Sequence, residues 1–266
     1  MSEKGNQAVK TVSFMMLITL FGKILGMVRE QLLAANYGTD MQAAAFLLAS
    51  RIPRTFFDVI FASAISASFI PVFVEYLQKK GRKEAFSLAN RFITMISTVT
   101  LLMMLLGMAF AKPLTLLIAP GYDVETVTLC VGLLRMLFPT MLFTAVAFSF
   151  VGILQSLEEF NVPAALSVVS NGVLILYYIF FNEKFGILGL TAAFLIGWAM
   201  QAVIQIPSLW KKGYHYRPDF HFKDEGLRKI GRLMLPVMVS TWIQPINFMV
   251  NTRFASQLSG GSAVNG

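Results

Sequence analysis

Apolar runs of bilayer length, separated by short polar stretches, dominate the chain. A helix needs about 20 mostly apolar residues to cross the hydrocarbon core. Residues 92–111, 136–157, 160–182, 185–210 and 233–252 meet that length without a charge. Two further runs are apolar but interrupted. Away from their ends, residues 9–36 carry Lys23, Arg29 and Glu30, and residues 41–76 carry Arg51, Arg54 and Asp58. The pattern predicts an all-α polytopic membrane protein with seven transmembrane helices. The first run is too long and too charged for a signal peptide, and no small-residue cleavage site follows a clean apolar core.

Composition narrows the class. Charged residues make up 14% of the chain and hydrophobic residues 56%, against roughly 25% charge in a soluble domain. A disordered chain, a basic nucleic-acid-binding domain and an ordinary soluble enzyme are excluded. The net charge of +8 is concentrated in two loops. Lys79, Lys80, Arg82, Lys83 and Arg91 follow the second run, and Lys211, Lys212, Arg217, Lys223, Arg228, Lys229 and Arg232 follow the sixth. Lys4 and Lys10 lie in the N-terminal tail, whereas the loops of the opposite side hold only Lys112 and Lys184. The excess of positive charge on cytoplasmic loops places the N-terminus in the cytoplasm. The loop after the fourth run, with Glu158 and Glu159, adds no support.

The segment 211–232 also holds Tyr214, Tyr216, Phe220, Phe222, His215 and His221. It reads as an interfacial stretch against anionic headgroups; a metal site needs more ligands at better spacing. The single cysteine, Cys130, excludes a disulfide framework and a cysteine-based metal site.

Prolines 53, 71, 139, 163, 207, 236 and 245 fall inside or beside the runs, where each frees a backbone carbonyl and favours a kink. Kinked helices suit a moving transporter better than a rigid anchor. A faint internal echo sets MVREQLLAANYG at Met27 against MVNTRFASQLSG at Met249, with three identities in twelve. By that echo the first six runs form one repeat and the seventh begins another. The expected division is residues 1–222, a six-helix lobe with its cytoplasmic loop, and residues 223–266, the start of a second, truncated lobe.

Charges inside a span are costly and face a polar cavity or a partner. Lys23 and Glu30, seven apart, share a helix face, and Arg51, Arg54 and Asp58 stack on one face of the next run. Two antiparallel neighbours thus bring four cations and two anions to a common region. One reading has Glu30 and Asp58 merely neutralising arginines while the helices pack. The other has Arg29, Arg51, Arg54 and Lys23 lining a hydrated cavity for an anionic headgroup, since a guanidinium fork holds phosphate oxygens in two bonds and stays charged when desolvated. No histidine-containing constellation, paired carboxylates or phosphate-cradling glycine loop points to catalysis, a metal or a cofactor, so an enzyme is not expected.

The same region carries a resemblance. Leu25-Gly26-Met27-Val28-Arg29-Glu30, Tyr37-Gly38, Arg51-Ile52-Pro53 and Ser66-Ala67-Ser68-Phe69-Ile70-Pro71-Val72-Phe73 with Glu75-Tyr76 resemble the start of the MurJ/MviN family. Ala119-Pro120-Gly121, Phe138-Pro139, Gly152-Ile153-Leu154-Gln155 and Val162-Pro163-Ala164 continue the pattern, in order, over essentially the whole chain. The family belongs to the multidrug/oligosaccharidyl-lipid/polysaccharide exporter superfamily. It moves lipid II, the undecaprenyl-pyrophosphate-linked peptidoglycan precursor, across the bacterial cytoplasmic membrane. The resemblance implies an N-terminal six-helix lobe plus the first helix of a second lobe, a cationic cavity to which Lys23, Arg29 and Arg51 contribute, and lipid II and membrane lipids as partners. Cell-wall synthesis proteins are further candidate partners; a nucleic acid is not. Ala44, Phe57 and Ala62-Ser63 stand where the family often has an acid, an arginine and a Glu-Gly pair, and Arg54 is positioned to replace that arginine from one turn earlier. These departures leave open an exporter of another polyprenyl-linked saccharide or a drug, and, from a different class, a non-transporting scaffold for cell-wall enzymes.

Overall fold

The structure is a computed structural model. It describes residues 2–38, 40–55, 64–241 and 243–258, with side chains over 12–254 of these apart from Gln244. Among the described residues thirteen α-helices follow one another: α1 (Ser2–Tyr37), α2 (Met41–Pro53), α3 (Ile70–Lys79), α4 (Gly81–Ala109), α5 (Ala111–Ile118), α6 (Val124–Leu137), α7 (Thr140–Ser156), α8 (Asn161–Ala164), α9 (Leu166–Phe180), α10 (Asn182–Val203), α11 (Ile206–Lys211), α12 (Glu225–Thr241) and α13 (Ile243–Leu258). A π-helix, Ile65–Phe69, leads into α3.

The prolines punctuate these helices as expected. Pro53 ends α2 and the backbone loosens into a π-type turn at Arg54 and Thr55. Pro71 and Pro207 sit in the first turns of α3 and α11, where the missing N–H costs nothing. Pro139 separates α6 from α7, while α12 runs through Pro236 without a break. Asp123 caps α6, its carboxylate accepting from the Thr126 backbone N–H and hydroxyl.

Among the described residues six helical stretches are long and apolar enough to cross a membrane: Val12–Tyr37, Gly81–Ala109, Val124–Ser156, Asn161–Phe180, Asn182–Lys211 and Glu225–Phe254. They correspond to six of the seven expected spans. The other, residues 41–76, is described only as the pieces on either side of 56–63. The fourth expected span, 136–157, begins earlier than its uncharged run. Its helical stretch starts at Val124, behind the Asp123 cap, and accommodates Arg135 at the surface, where Nε donates to the Met108 carbonyl at 3.2 Å.

Two apolar cores form, one at each end of the bundle. The first joins Phe46, Leu48 and Ile52 of α2 with Leu133, Leu134 and Leu137 of α6, Leu174 and Tyr178 of α9, and Leu190 and Phe194 of α10. The second joins Phe69, Phe73, Leu88, Phe92, Ile153, Leu154, Tyr214 and Ile230. Helices α7 and α10 contribute to both. The Phe69 ring stacks on Phe73 at 5.3 Å and on Phe92 at 4.6 Å.

Both basic segments lie at the second core's end. Arg82 donates to the Lys212 carbonyl at 2.6 Å, and Lys229 pairs with Glu75. Arg91 bridges Asp219 at 2.9 Å and Asp224 at 2.6 Å. The segment between α11 and α12 is therefore strapped onto α4. Tyr214 is buried, its hydroxyl donating to Asn90 Oδ1 at 2.8 Å, while Phe220, Phe222 and His221 stay exposed.

Candidate functional site

Helix α1 leaves most of its apolar surface open: Met16, Leu17, Leu20, Phe21 and Met27 are all exposed. Its closest approach is to α9, through two glycines one helical turn apart. An added Cβ on Gly22 would meet Ser167 Oγ at 2.2 Å, and one on Gly26 would lie 3.5 Å from Asn171 Nδ2. Small residues four apart let two helix backbones approach closely. Across that contact Asn171 Nδ2 donates to the Gly22 carbonyl at 3.1 Å, and Arg29 Nη1 donates to Asn171 Oδ1 at 3.1 Å. Arg29 Nη2 reaches Glu30 Oε1 at 3.0 Å.

The second group of cations comes from α2 and the turn that follows it. Arg51 is in the last turn of α2, and Arg54 follows where Pro53 has loosened the helix. The Arg54 guanidinium lies over the Trp198 ring of α10, 5.8 Å from its centroid. The Phe46–Phe194 edge-to-face contact, 5.9 Å between centroids, holds α2 against α10 on the same side.

These residues wall a cleft of two compartments. One, about 300 Å³, runs toward the first core; Arg29, Glu30, Ser50, Arg51, Arg54 and Tyr178 line it. The other, about 550 Å³, runs toward the second core; Lys23, Arg29, Arg54, Asn171, Trp198 and Gln201 line it. Arg29 and Arg54 belong to both walls, so their charges stand at the junction. Lys23 and Arg51 face one compartment each and make no hydrogen bond or ion pair among the described residues. A charged side chain kept at bilayer depth requires polar surroundings or water, and the two compartments supply them.

All four expected cations therefore line one cleft, with Glu30 on the guanidinium of Arg29. Asp58, the other expected charge partner, lies outside the described residues, as do Phe57, Ala62 and Ser63. Asn171, Tyr178, Trp198 and Gln201 join the site without having been singled out. Their signal is faint but readable: a lone asparagine in the apolar run of α9, and a glycine pair, Gly22 and Gly26, facing it from α1.

Bilayer-length helices around a cleft walled by arginines and a lysine define a polytopic α-helical membrane protein with a cationic cavity. Comparison with known proteins gives the family. The model of the family described as lipid II flippase MurJ matches residues 33–265, and the chain belongs to that family. A protein of Buchnera aphidicola subsp. Acyrthosiphon pisum named as a probable lipid II flippase MurJ is 32% identical over 250 residues, covering 92% of this chain and 49% of its own length. A lipid II flippase MurJ of Burkholderia cenocepacia is 25% identical over 252 residues, with 92% and 49% covered. The chain thus spans about half the length of the curated relatives it matches. A solved structure of lipid II flippase MurJ in an inward closed conformation superposes with a TM-score of 0.78 at 25% identity, over 93% of this chain and 51% of that one. An inward-facing multidrug-resistance transporter of the MATE family shares the fold, with a TM-score of 0.73 at 18% identity over 90% of this chain and 55% of that one.

Proposed function

We propose that this chain forms one wall of a lipid II translocation path in the bacterial cytoplasmic membrane, with its N-terminus in the cytoplasm. The observation that carries the reading is the junction of Arg29 and Arg54 between two compartments, with Lys23 on one side and Arg51 on the other. A diphosphate with its sugar headgroup enters the larger compartment from the end where the basic segments lie. Guanidinium forks and the lysine ammonium replace its hydration, while the polyprenyl tail stays in lipid. Glu30, and Asp58 beyond the described residues, orient the arginines and keep the anion from binding too tightly. Residues 1–222 act as one lobe and residues 223–266 begin another, whose rocking against the first opens the cleft alternately to each side. Nothing in the path calls for bond-making chemistry. Membrane lipids bathe α1, and cell-wall synthesis proteins remain candidate partners.

The test is binding of lipid II to the full chain in nanodiscs of zwitterionic lipid. Replacing Arg29 and Arg54 together by alanine is expected to lower affinity by about a hundredfold, from about 1.5 kcal/mol for each charge-assisted contact, with membrane insertion unchanged. Unaltered binding by the double variant refutes the site. Equal binding of a polyprenyl-diphosphate carrying an unrelated saccharide turns the assignment to the wider exporter class. Failure of the wild-type chain to bind any of these lipids favours a scaffold.

A further inference from the structure

We infer that Asn171 is a positioning residue for the anion site, one that presents Arg29 to both compartments without cancelling its charge. The inference rests on the function proposed above, and it names a residue with no formal charge as a determinant of that site. Asn171 is buried in the middle of α9 and lines the larger compartment. Its amide is used at both ends: Nδ2 donates to the Gly22 carbonyl and Oδ1 accepts from Arg29 Nη1, each at 3.1 Å. Exchanging the amide oxygen and nitrogen would set acceptor against acceptor at Gly22 and donor against donor at Arg29. One orientation alone satisfies both contacts.

Arg29 carries five N–H donors in a rigid fork. Asn171 takes one on Nη1 and Glu30 takes one on Nη2. Nε–H and one N–H on each terminal nitrogen remain for an anion. Asn171 fixes the rotation of the fork, and because it is neutral it leaves the charge of Arg29 available. A carboxylate in its place would hold the guanidinium equally well and compete with a diphosphate for it. Gly22 ties the arrangement to the helix contact, since α9 reaches that carbonyl only because Gly22 lacks a side chain.

The experiment is a double-mutant cycle on the full chain in zwitterionic nanodiscs. Affinity is measured for inorganic pyrophosphate and, separately, for lipid II; unfolding stability is measured alongside. Asn171→Asp is expected to lower pyrophosphate affinity at least about tenfold, while the new ion pair with Arg29 offsets part of the stability lost where a carboxylate oxygen faces the Gly22 carbonyl. In an Arg29→Ala background, where Lys23, Arg51 and Arg54 supply the residual binding, Asn171→Asp acts only by direct repulsion of the anion, and its loss is expected to be several-fold smaller than in the wild-type background. Asn171→Leu is expected to lower stability and affinity together. Wild-type affinity in Asn171→Asp, or the same loss in both backgrounds, overturns the inference. If the pyrophosphate cycle behaves as expected and lipid II does not bind, the positioning role stands and the substrate reading falls.

Discussion

The contact between α1 and α9 can be tested by filling it. In Gly22→Ala the new methyl would lie 2.2 Å from Ser167 Oγ, 3.3 Å from Ser167 Cβ and 3.5 Å from Val168 Cγ2. The first separation is far inside van der Waals contact and forces the hydroxyl to turn or the helices to part. Alanine in place of glycine favours a helix by about 1 kcal/mol. Overpacking of this kind costs about 1–3 kcal/mol, so the single variant is expected to lose about 0–2 kcal/mol. Removing the obstructing hydroxyl by Ser167→Ala relieves the worst contact and leaves the 3.3 Å Cβ approach, which a small shift accommodates. The double variant should then recover about 1–2 kcal/mol relative to the sum of the single changes. Reversible denaturant unfolding in mixed micelles reads all three. Additivity within about 0.5 kcal/mol would show that α1 does not rest on α9 at Gly22. Anion binding should fall in the single variant and return in the double, because the same displacement pulls the Gly22 carbonyl from Asn171.

Three further outcomes concern the strap between α11 and α12. Tyr214→Ala is expected to destabilise by about 3–5 kcal/mol and to expose the neighbouring lysines to trypsin, whereas Tyr214→Phe, which loses only the bond to Asn90, should cost about 1 kcal/mol. Arg91→Ala leaves the Asp219 and Asp224 carboxylates, 20% and 16% exposed, without their guanidinium. A loss of about 1–3 kcal/mol, between the values for exposed and buried pairs, should appear as faster amide exchange over residues 214–224; unchanged exchange would refute the strap. The backbone N–H of His221, its ring and Arg91 hold the Asp219 carboxyl below the usual aspartate range. A carboxyl with a depressed folded pKa contributes its full stabilisation above the unfolded pKa of about 3.9 and loses it as pH falls from there through the folded pKa. Protease resistance of the strap should hold from neutral pH to about 5, decline below about 4, and become insensitive to acid over that range in Asp219→Asn.

The spans were legible because hydrocarbon imposes one rule on every residue that crosses it, so a run such as 160–182 declares itself without any partner. The cations were legible for the same reason in reverse, since Arg29 and Arg54 would be eliminated from a lipid-facing helix. Asn171 was not. A single asparagine in an apolar run satisfies no periodic pattern, and its meaning depends on Gly22, 149 residues away along the chain. The basic aromatic stretch was half legible. Its charge and aromatic content predict an interfacial position, which exposed Phe220 and Phe222 fit. Tyr214 and Arg91 instead tie it to α4 through partners more than 120 residues distant.

The distribution of packing explains how this architecture could move around its own site. Apolar cohesion is concentrated in two cores, and α7 and α10 reach both: α7 lies mainly in the second with Met141 in the first, and α10 mainly in the first with Ala202 in the second. Along the second expected span, Ile52 belongs to one core and Ala64 to the other, and Arg54 follows Ile52 at the turn that Pro53 loosens. Burying an apolar side chain stabilises by about 1.5–3 kcal/mol, so each core holds its own end firmly. The contacts across the junction include the Asn171 amide and the Arg54–Trp198 ring contact, each worth about 1 kcal/mol. Motion is cheapest where cohesion is lowest, and that is where the charges stand. Strengthening the junction with an apolar side chain of similar size that breaks none of these contacts, for example Gln201→Leu in the larger compartment, should therefore slow any exchange between the compartments, even if the spans themselves remain intact.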